Sequence, residues 1–172
     1  MKCMIRYAMR DDIPAMTKIY NDAIKYSNAT YDINPQSEAQ RGVWFDAHQE
    51  NNPILVFEVD DKIVGYTGLS PFGSDDGYLY SVNLCIYVDW SNRGEGYGSD
   101  LMFAILDIAR ARQDVHTVVS EITSSNVASI ALHERFGFEF RGLVREVGYK
   151  FGEFHDMCYY QLMVNGKILS QT

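Results

Sequence analysis

Arg93-Gly94-Glu95-Gly96-Tyr97-Gly98 sets three alternate glycines between a strand-like run, Leu84–Val88, and a helix expected to start near Ser99. Backbone amides left free at such a junction, with the positive end of a helix dipole behind them, suit a phosphate or pyrophosphate. The spacing argues against a dinucleotide fold. That fingerprint is Gly-x-Gly-x-x-Gly after an early strand, with an acid ~20 residues on. Here the spacing is Gly-x-Gly-x-Gly, late in the chain, and the next strand-like run, Thr117–Ile122, offers only Glu121. A phosphate-loop Gly-Lys-Ser/Thr is absent as well.

A second candidate is His133, in Leu132-His133-Glu134-Arg135-Phe136-Gly137-Phe138. An imidazole with an ordinary pKa near ~6.5 can take or give a proton at neutral pH. His48, His116 and His155 have no comparable context, and nothing beside Cys85 in sequence marks it as an activated nucleophile. Cys3, Cys85 and Cys158 are odd in number and widely spaced within apolar runs. They read as reduced core thiols of a cytoplasmic protein, with no disulfide framework and no metal site.

The elements that must position these groups follow from periodicity. Cys3–Tyr7 reads as a strand. Asp11 and Asp12 then cap a helix with Pro14 in its first turn, and Ile13, Met16, Tyr20 and Ala23 share one face. A second helix is expected from Gln36 to about Glu50, with Val43, Trp44 and Ala47 inward. Ile54–Val59 and Ile63–Leu69 flank Asp60-Asp61-Lys62, a hairpin signal. The loop Ser70–Gly77 leads to a long strand, Tyr78–Val88. Leu101, Ile105, Ile108 and Arg112 mark the turns of the helix after the glycine loop. Thr117–Ile122 is a strand, Asn126 caps a helix, and Gly137 stops it. Phe140–Tyr149 and Phe154–Val164 form a last hairpin. The order β-α-α-β-β-β-α-β-α-β-β is a mixed α/β layer structure, one domain over residues 1–164 with a loose tail at 165–172.

Composition narrows the partners. A net charge of −8 with no Lys/Arg run disfavours nucleic acid. No apolar run approaches the ~20 residues of a membrane span, and the N-terminus lacks a signal-peptide core.

Arg93-x-x-Gly96-x-Gly98 after a strand, Asn126 and Ser129 opening a helix, and the His133–Phe138 run together resemble the GNAT superfamily of acyl-CoA-dependent N-acetyltransferases. Ala29-Thr30-Tyr31-Asp32, Ile86-Tyr87-Val88, Ala128–Glu134 and Glu146–Gly152 are similar to the phosphinothricin/methionine-sulfoximine branch. The resemblance covers roughly Met4 to Val164. It implies an α/β (α+β) fold, a mixed, mostly antiparallel seven-stranded sheet flanked by about four helices. It implies acetyl-CoA as acyl donor, with Ile86, Tyr87 and Val88 along the pantetheine arm. Gly94, Glu95, Gly96, Tyr97, Gly98 and Ser99 would lie at the pyrophosphate, Arg93 beside it, and Asn126 and Ser129 on the CoA arm.

The implied reaction is direct attack of a neutral primary amine on the thioester, with His133, Asn83 and Glu121 as catalytic candidates. His133 would protonate the departing thiolate or relay a proton from the amine. Tyr31, Phe72, Tyr80 and Tyr149 are the expected substrate contacts, and a homodimer is the expected assembly. Two departures bear on the acceptor. Asn83 stands where the branch has a glutamate, and Ser70–Gly77 lacks the branch's arginines and carries Asp75 and Asp76 instead. The acceptor implied is a small amino-acid-like or xenobiotic amine lacking a strong anionic group. The alternatives are a protein or peptide N-acetyltransferase and a non-catalytic acyl-CoA-binding module.

Overall fold

Alternating apolar and polar residues supply seven strands, and a computed structural model that describes residues 2–48 and 51–164 shows how they pair. In chain order these are β1 (Cys3–Tyr7), α1 (Ile13–Tyr26), α2 (Glu38–Asp46), β2 (Ile54–Val59), β3 (Lys62–Pro71) and β4 (Ser81–Val88). Then come α3 (Tyr97–Ala111), β5 (Thr117–Thr123), α4 (Val127–Arg135), β6 (Glu139–Lys150) and β7 (Glu153–Met163). One sheet holds all seven in the order β1-β2-β3-β4-β5-β7-β6. Every neighbouring pair is antiparallel except β4 and β5.

The two-residue period of the strands divides two cores between the faces. Val82 and Leu84 of β4, with Val118 and Ile122 of β5, pack against Leu101, Met102, Ile105 and Leu106 of α3. On the other face Val56 and Tyr66 meet Ile13, Met16 and Ile19 of α1, with Cys85 and Tyr87 against them. Leu132 of α4 and Phe136, which follows it, lie on the α3 side.

The parallel pairing of β4 with β5 is short. Ser81, Val82 and Asn83 pair with Thr117, Val118 and Val119, and beyond them the strands have no shared register. From Leu84 onward β4 pairs only with β3, while β5 continues along β7. The sheet forks at this point.

Several local expectations are corrected. α2 ends at Asp46, short of Glu50, and residues 49 and 50 lie outside those described, as does the 165–172 tail. Its N-terminus is set by a capping box in which Ser37 and Gln40 satisfy each other's amides. Val43 is 73% exposed and Ala47 is exposed, because the inward place is taken by Arg41, whose guanidinium stacks on Tyr20 and Trp44 at 4.4 and 3.8 Å. Asp12 does not cap α1 with its side chain; it accepts from the Met9 amide and the Arg6 guanidinium. Tyr78 belongs to a helical turn and β4 begins only at Ser81, since the amides of Tyr78 and Leu79 bond back to Asp75 and Asp76. Cys3, on the sheet's outer strand, is exposed, whereas Cys158 is buried.

Candidate active site

The fork opens into a cleft of about 960 Å³ that reaches both faces of the sheet. One wall is the unpaired side of β4, including Ile86, Tyr87 and Val88. The other is residues 120–123 of β5.

On the α3 face the cleft ends at the glycine loop. Gly94 and Gly96 hold φ of +86° and +90°, and a Cβ at either would meet nothing within 4 Å. The backbone conformation favours glycine at both, and the space beside them is open to a ligand. Gly96 is the N-cap of α3, and the first helical bonds run from the Ser99 and Asp100 amides to its carbonyl. The preceding amides are those a helix start leaves unpaired. Arg93 stacks its guanidinium on Trp90 at 4.1 Å, and Arg135 of α4 donates to the Ser99 hydroxyl. This end is the cationic one.

α4 carries the next groups. The Asn126 side chain accepts from the Ser129 amide at 3.3 Å, so it caps the helix as its sequence position indicates. One turn on, His133 is 2% exposed, with Nδ1 at 2.7 Å from the Ser129 carbonyl and its ring edge-on to Phe138. A carbonyl accepts only, so Nδ1 bears the hydrogen and Nε2 presents a lone pair. Nε2 has no partner. Burial pushes the imidazole below its usual pKa, against a smaller opposing effect of the Ser129 hydrogen bond. At neutral pH the resting ring is therefore uncharged, with Nε2 able to accept a proton. Ser120 Oγ, also buried and unpartnered, lines the same cleft. A serine inside Thr117–Ile122 gives no warning of this in sequence.

On the opposite face the walls are residues 27–29, which follow α1, and Phe151, Glu153 and His155 from the β6–β7 hairpin. Thr123 donates to the Asn28 carbonyl at 2.6 Å and lies 3.0 Å from the Tyr31 hydroxyl. Glu121 lines the cleft and is exposed. Cys85 lines it too, but burial pushes its thiol up to about 11, so it stays protonated.

The structure thus brings to one cleft His133, Glu121, Ile86, Tyr87, Val88, Arg93, Gly94, Gly96, Tyr97, Gly98, Ser99, Asn126 and Ser129. Glu95 sits in the same loop but is not part of the wall. Asn83 lies at the apex of the fork, outside the lining, with Oδ1 buried and unpartnered. The four expected aromatic contacts are not on the walls. Tyr31 packs behind them against Thr123 and His155. Phe72 meets Tyr78, Tyr80 is exposed before β4, and Tyr149 is exposed against Phe154 on the outer hairpin. Aromatic type alone did not reveal which way each ring turns. Among the described residues no group of three or more His, Cys, Asp or Glu is placed to hold a metal ion.

Residues 5–159 match the model of the acetyltransferase (GNAT) domain. An L-methionine sulfoximine/L-methionine sulfone acetyltransferase of Pseudomonas paraeruginosa is 38% identical over 164 residues, covering 94% of this chain and 95% of its own. An N-acetyltransferase from Staphylococcus aureus Mu50 superposes with a TM-score of 0.93 at 38% identity, over 96% of this chain and all of that one. A phosphinothricin acetyltransferase from Sinorhizobium meliloti, solved in complex with acetyl-CoA, superposes with a TM-score of 0.93 at 28% identity, over 99% and 93% of the two chains. The chain belongs to the GNAT acetyltransferase family. It is an acetyl-CoA-dependent N-acetyltransferase.

Proposed function

We propose that this enzyme acetylates a small, amino-acid-like or xenobiotic primary amine, and that it recognises the acceptor without gripping a carboxylate. Acetyl-CoA supplies an activated acetyl thioester. In this reading the amides at 94–98 and Arg93 hold its pyrophosphate, and the open side of β4 at 86–88 orients the thioester, with Asn126 and Ser129 alongside. The acceptor enters from the α1 face. Glu121 steadies the incoming amine, whose nitrogen bonds the acetyl carbon as the C–S bond breaks. The amine's proton passes to the lone pair on His133 Nε2, directly or through water, and from there to the departing CoA sulfur. Asn83 at the apex orients water or amine but carries no base.

One observation supports the acceptor class: among the described residues that line the cleft, no lysine or arginine stands at the acceptor end. The cleft's arginines, Arg93 and Arg135, are at the glycine-loop end, while Glu121 and Glu153 stand on the walls nearer the acceptor. Lys150 is committed to backbone carbonyls, and Arg41 is buried among rings. A bidentate carboxylate clamp has no donor here.

The test is thiol release with methionine sulfone and with its carboxamide. The amide is expected to match or exceed the free acid in kcat/KM. A preference for the acid of about tenfold or more would reveal a carboxylate site and overturn the reading. We also read the exposed Val147, Tyr149 and Phe154 of the β6–β7 hairpin as the face through which two copies pair, and the three unpaired cysteines as fitting a cytoplasmic protein.

A further inference from the structure

We infer that Lys150 is a positioning residue for the acceptor: its ammonium ties the 27–30 loop to the β6–β7 hairpin and so fixes the acceptor-side wall of the cleft. Lys150 is only 4% exposed. Its Nζ donates to the Ser27 carbonyl at 2.8 Å and the Thr30 carbonyl at 2.7 Å, across more than a hundred residues of chain. Both partners are backbone carbonyls and not carboxylates. A lysine ordinarily extends to water, so burying one costs free energy unless its donors are used.

The loop it holds has no regular structure of its own. α1 ends at Tyr26, and the amide and hydroxyl of its C-cap Ser27 both return to the Ala23 carbonyl. From there the chain hangs on side chains of other elements. Lys150 takes the carbonyls of Ser27 and Thr30, Thr123 takes that of Asn28, and the Asn28 side chain donates from Nδ2 to the Ser125 hydroxyl at 2.7 Å. The Tyr31 ring lies so close over Gly148 that a Cβ there would come within 2.3 Å of it. His155 Nε2 meets the Lys150 carbonyl at 3.1 Å, which secures the backbone from which the lysine reaches. Ser27, Asn28 and Ala29 face the cleft, as do Phe151 and His155. One lysine thus joins two walls of the same opening. The glycine loop and His133 stand on the far side of the sheet from this bond.

The proposal rests on the reading that the acceptor enters from the α1 face, and the experiment separates the two. Lys150→Met, Lys150→Arg and Gly148→Ala are compared with the unmodified enzyme on whichever amine it turns over fastest. Acceptor KM, kcat, acetyl-CoA Kd and hydrogen exchange of the residue 28–31 amides are measured. Lys150→Met is expected to raise acceptor KM about tenfold or more while acetyl-CoA Kd stays within about twofold, because only the acceptor wall is loosened. Exchange at 28–31 should accelerate, with β5 unchanged. Lys150→Arg keeps donors and charge and should recover part of the KM. Gly148→Ala displaces Tyr31 from the same loop, so it should reproduce the KM effect even if Lys150→Met folds poorly. Unaltered exchange at 28–31 overturns the clamp itself. Faster exchange with unaltered KM removes the loop from the acceptor site, and equal losses in KM and acetyl-CoA Kd make the lysine merely structural.

Discussion

His133 has one nitrogen committed and one idle. The proposed function gives that idle nitrogen a use, where the fold by itself gives it none. Nδ1 adds little to stability, because the Ser129 carbonyl it touches sits within a helix that already uses it. His133→Phe keeps the ring and removes the orphan atom. The variant should melt no lower than the parent, while turnover falls on the order of a hundredfold with acetyl-CoA affinity retained. A variant that turned over normally would take His133 out of the mechanism. His133 could be picked out from its run Leu132–Phe138, since the helix and its Gly137 stop are local features. Its protonation state could not be read there. That depends on burial and on the Phe138 ring set against it, and the depressed pKa leaves the resting imidazole uncharged. Lys150 and Ser120 were illegible for the same reason, since the partners of one and the burial of the other are tertiary facts.

At the level of elements, the glycine loop shows why glycines in one motif are not equivalent. Gly96 needs its left-handed backbone, whereas Gly98 lies inside α3, where a Cβ would make only ordinary contacts with Leu132 and Val88 at 3.6 and 3.7 Å. Gly96→Ala should therefore lose about 1–3 kcal/mol of stability along with acetyl-CoA affinity. Gly98→Ala should leave stability unchanged or slightly raised, by up to about 1 kcal/mol, while still weakening acetyl-CoA. Thermal melts with and without acetyl-CoA separate the two. If Gly98→Ala binds acetyl-CoA as well as the parent, the amides near it do not form the cradle. Such loops are legible because their chemistry is local. The segment before β4 was not: Tyr78 and Tyr80 favour a strand by type, but the turn at 75–79 captures them first. In α2 the apolar pattern misled as well, because the aromatic cage selects Arg41 for the inside and leaves Val43 in water.

Across the whole molecule, an ion network stitches the first helix to the first two strands. The Arg6 guanidinium grips both oxygens of Asp12 at 2.7 and 2.8 Å and reaches Glu58 at 3.0 Å, while the Met9 amide donates to Asp12 at 2.7 Å. Burial alone would raise the Asp12 pKa, but these hydrogen bonds outweigh it and hold the carboxyl below its ordinary value. A depressed carboxyl stabilises the fold fully above its unfolded pKa of ~3.9, and that contribution is lost as pH falls through the lower folded value. Asp12→Asn should cost about 1–3 kcal/mol at pH 7, a gap that narrows as pH drops below ~3.9. Urea midpoints against pH provide the check, and a gap constant from neutral to acid would show that charge is not what Asp12 contributes.

The fork between β4 and β5 also bears on solubility. A strand edge with unused hydrogen-bonding groups is normally a hazard, since any other chain can add to it. In this sheet the edge beyond Asn83 is internal, flanked by β5 and roofed by α4 and the 27–30 loop. An added strand would have to enter between β4 and β5, inside the cleft they line. An unpaired β-edge is thereby held inside the molecule and not offered at the rim of the sheet, where it would be a seed for aggregation.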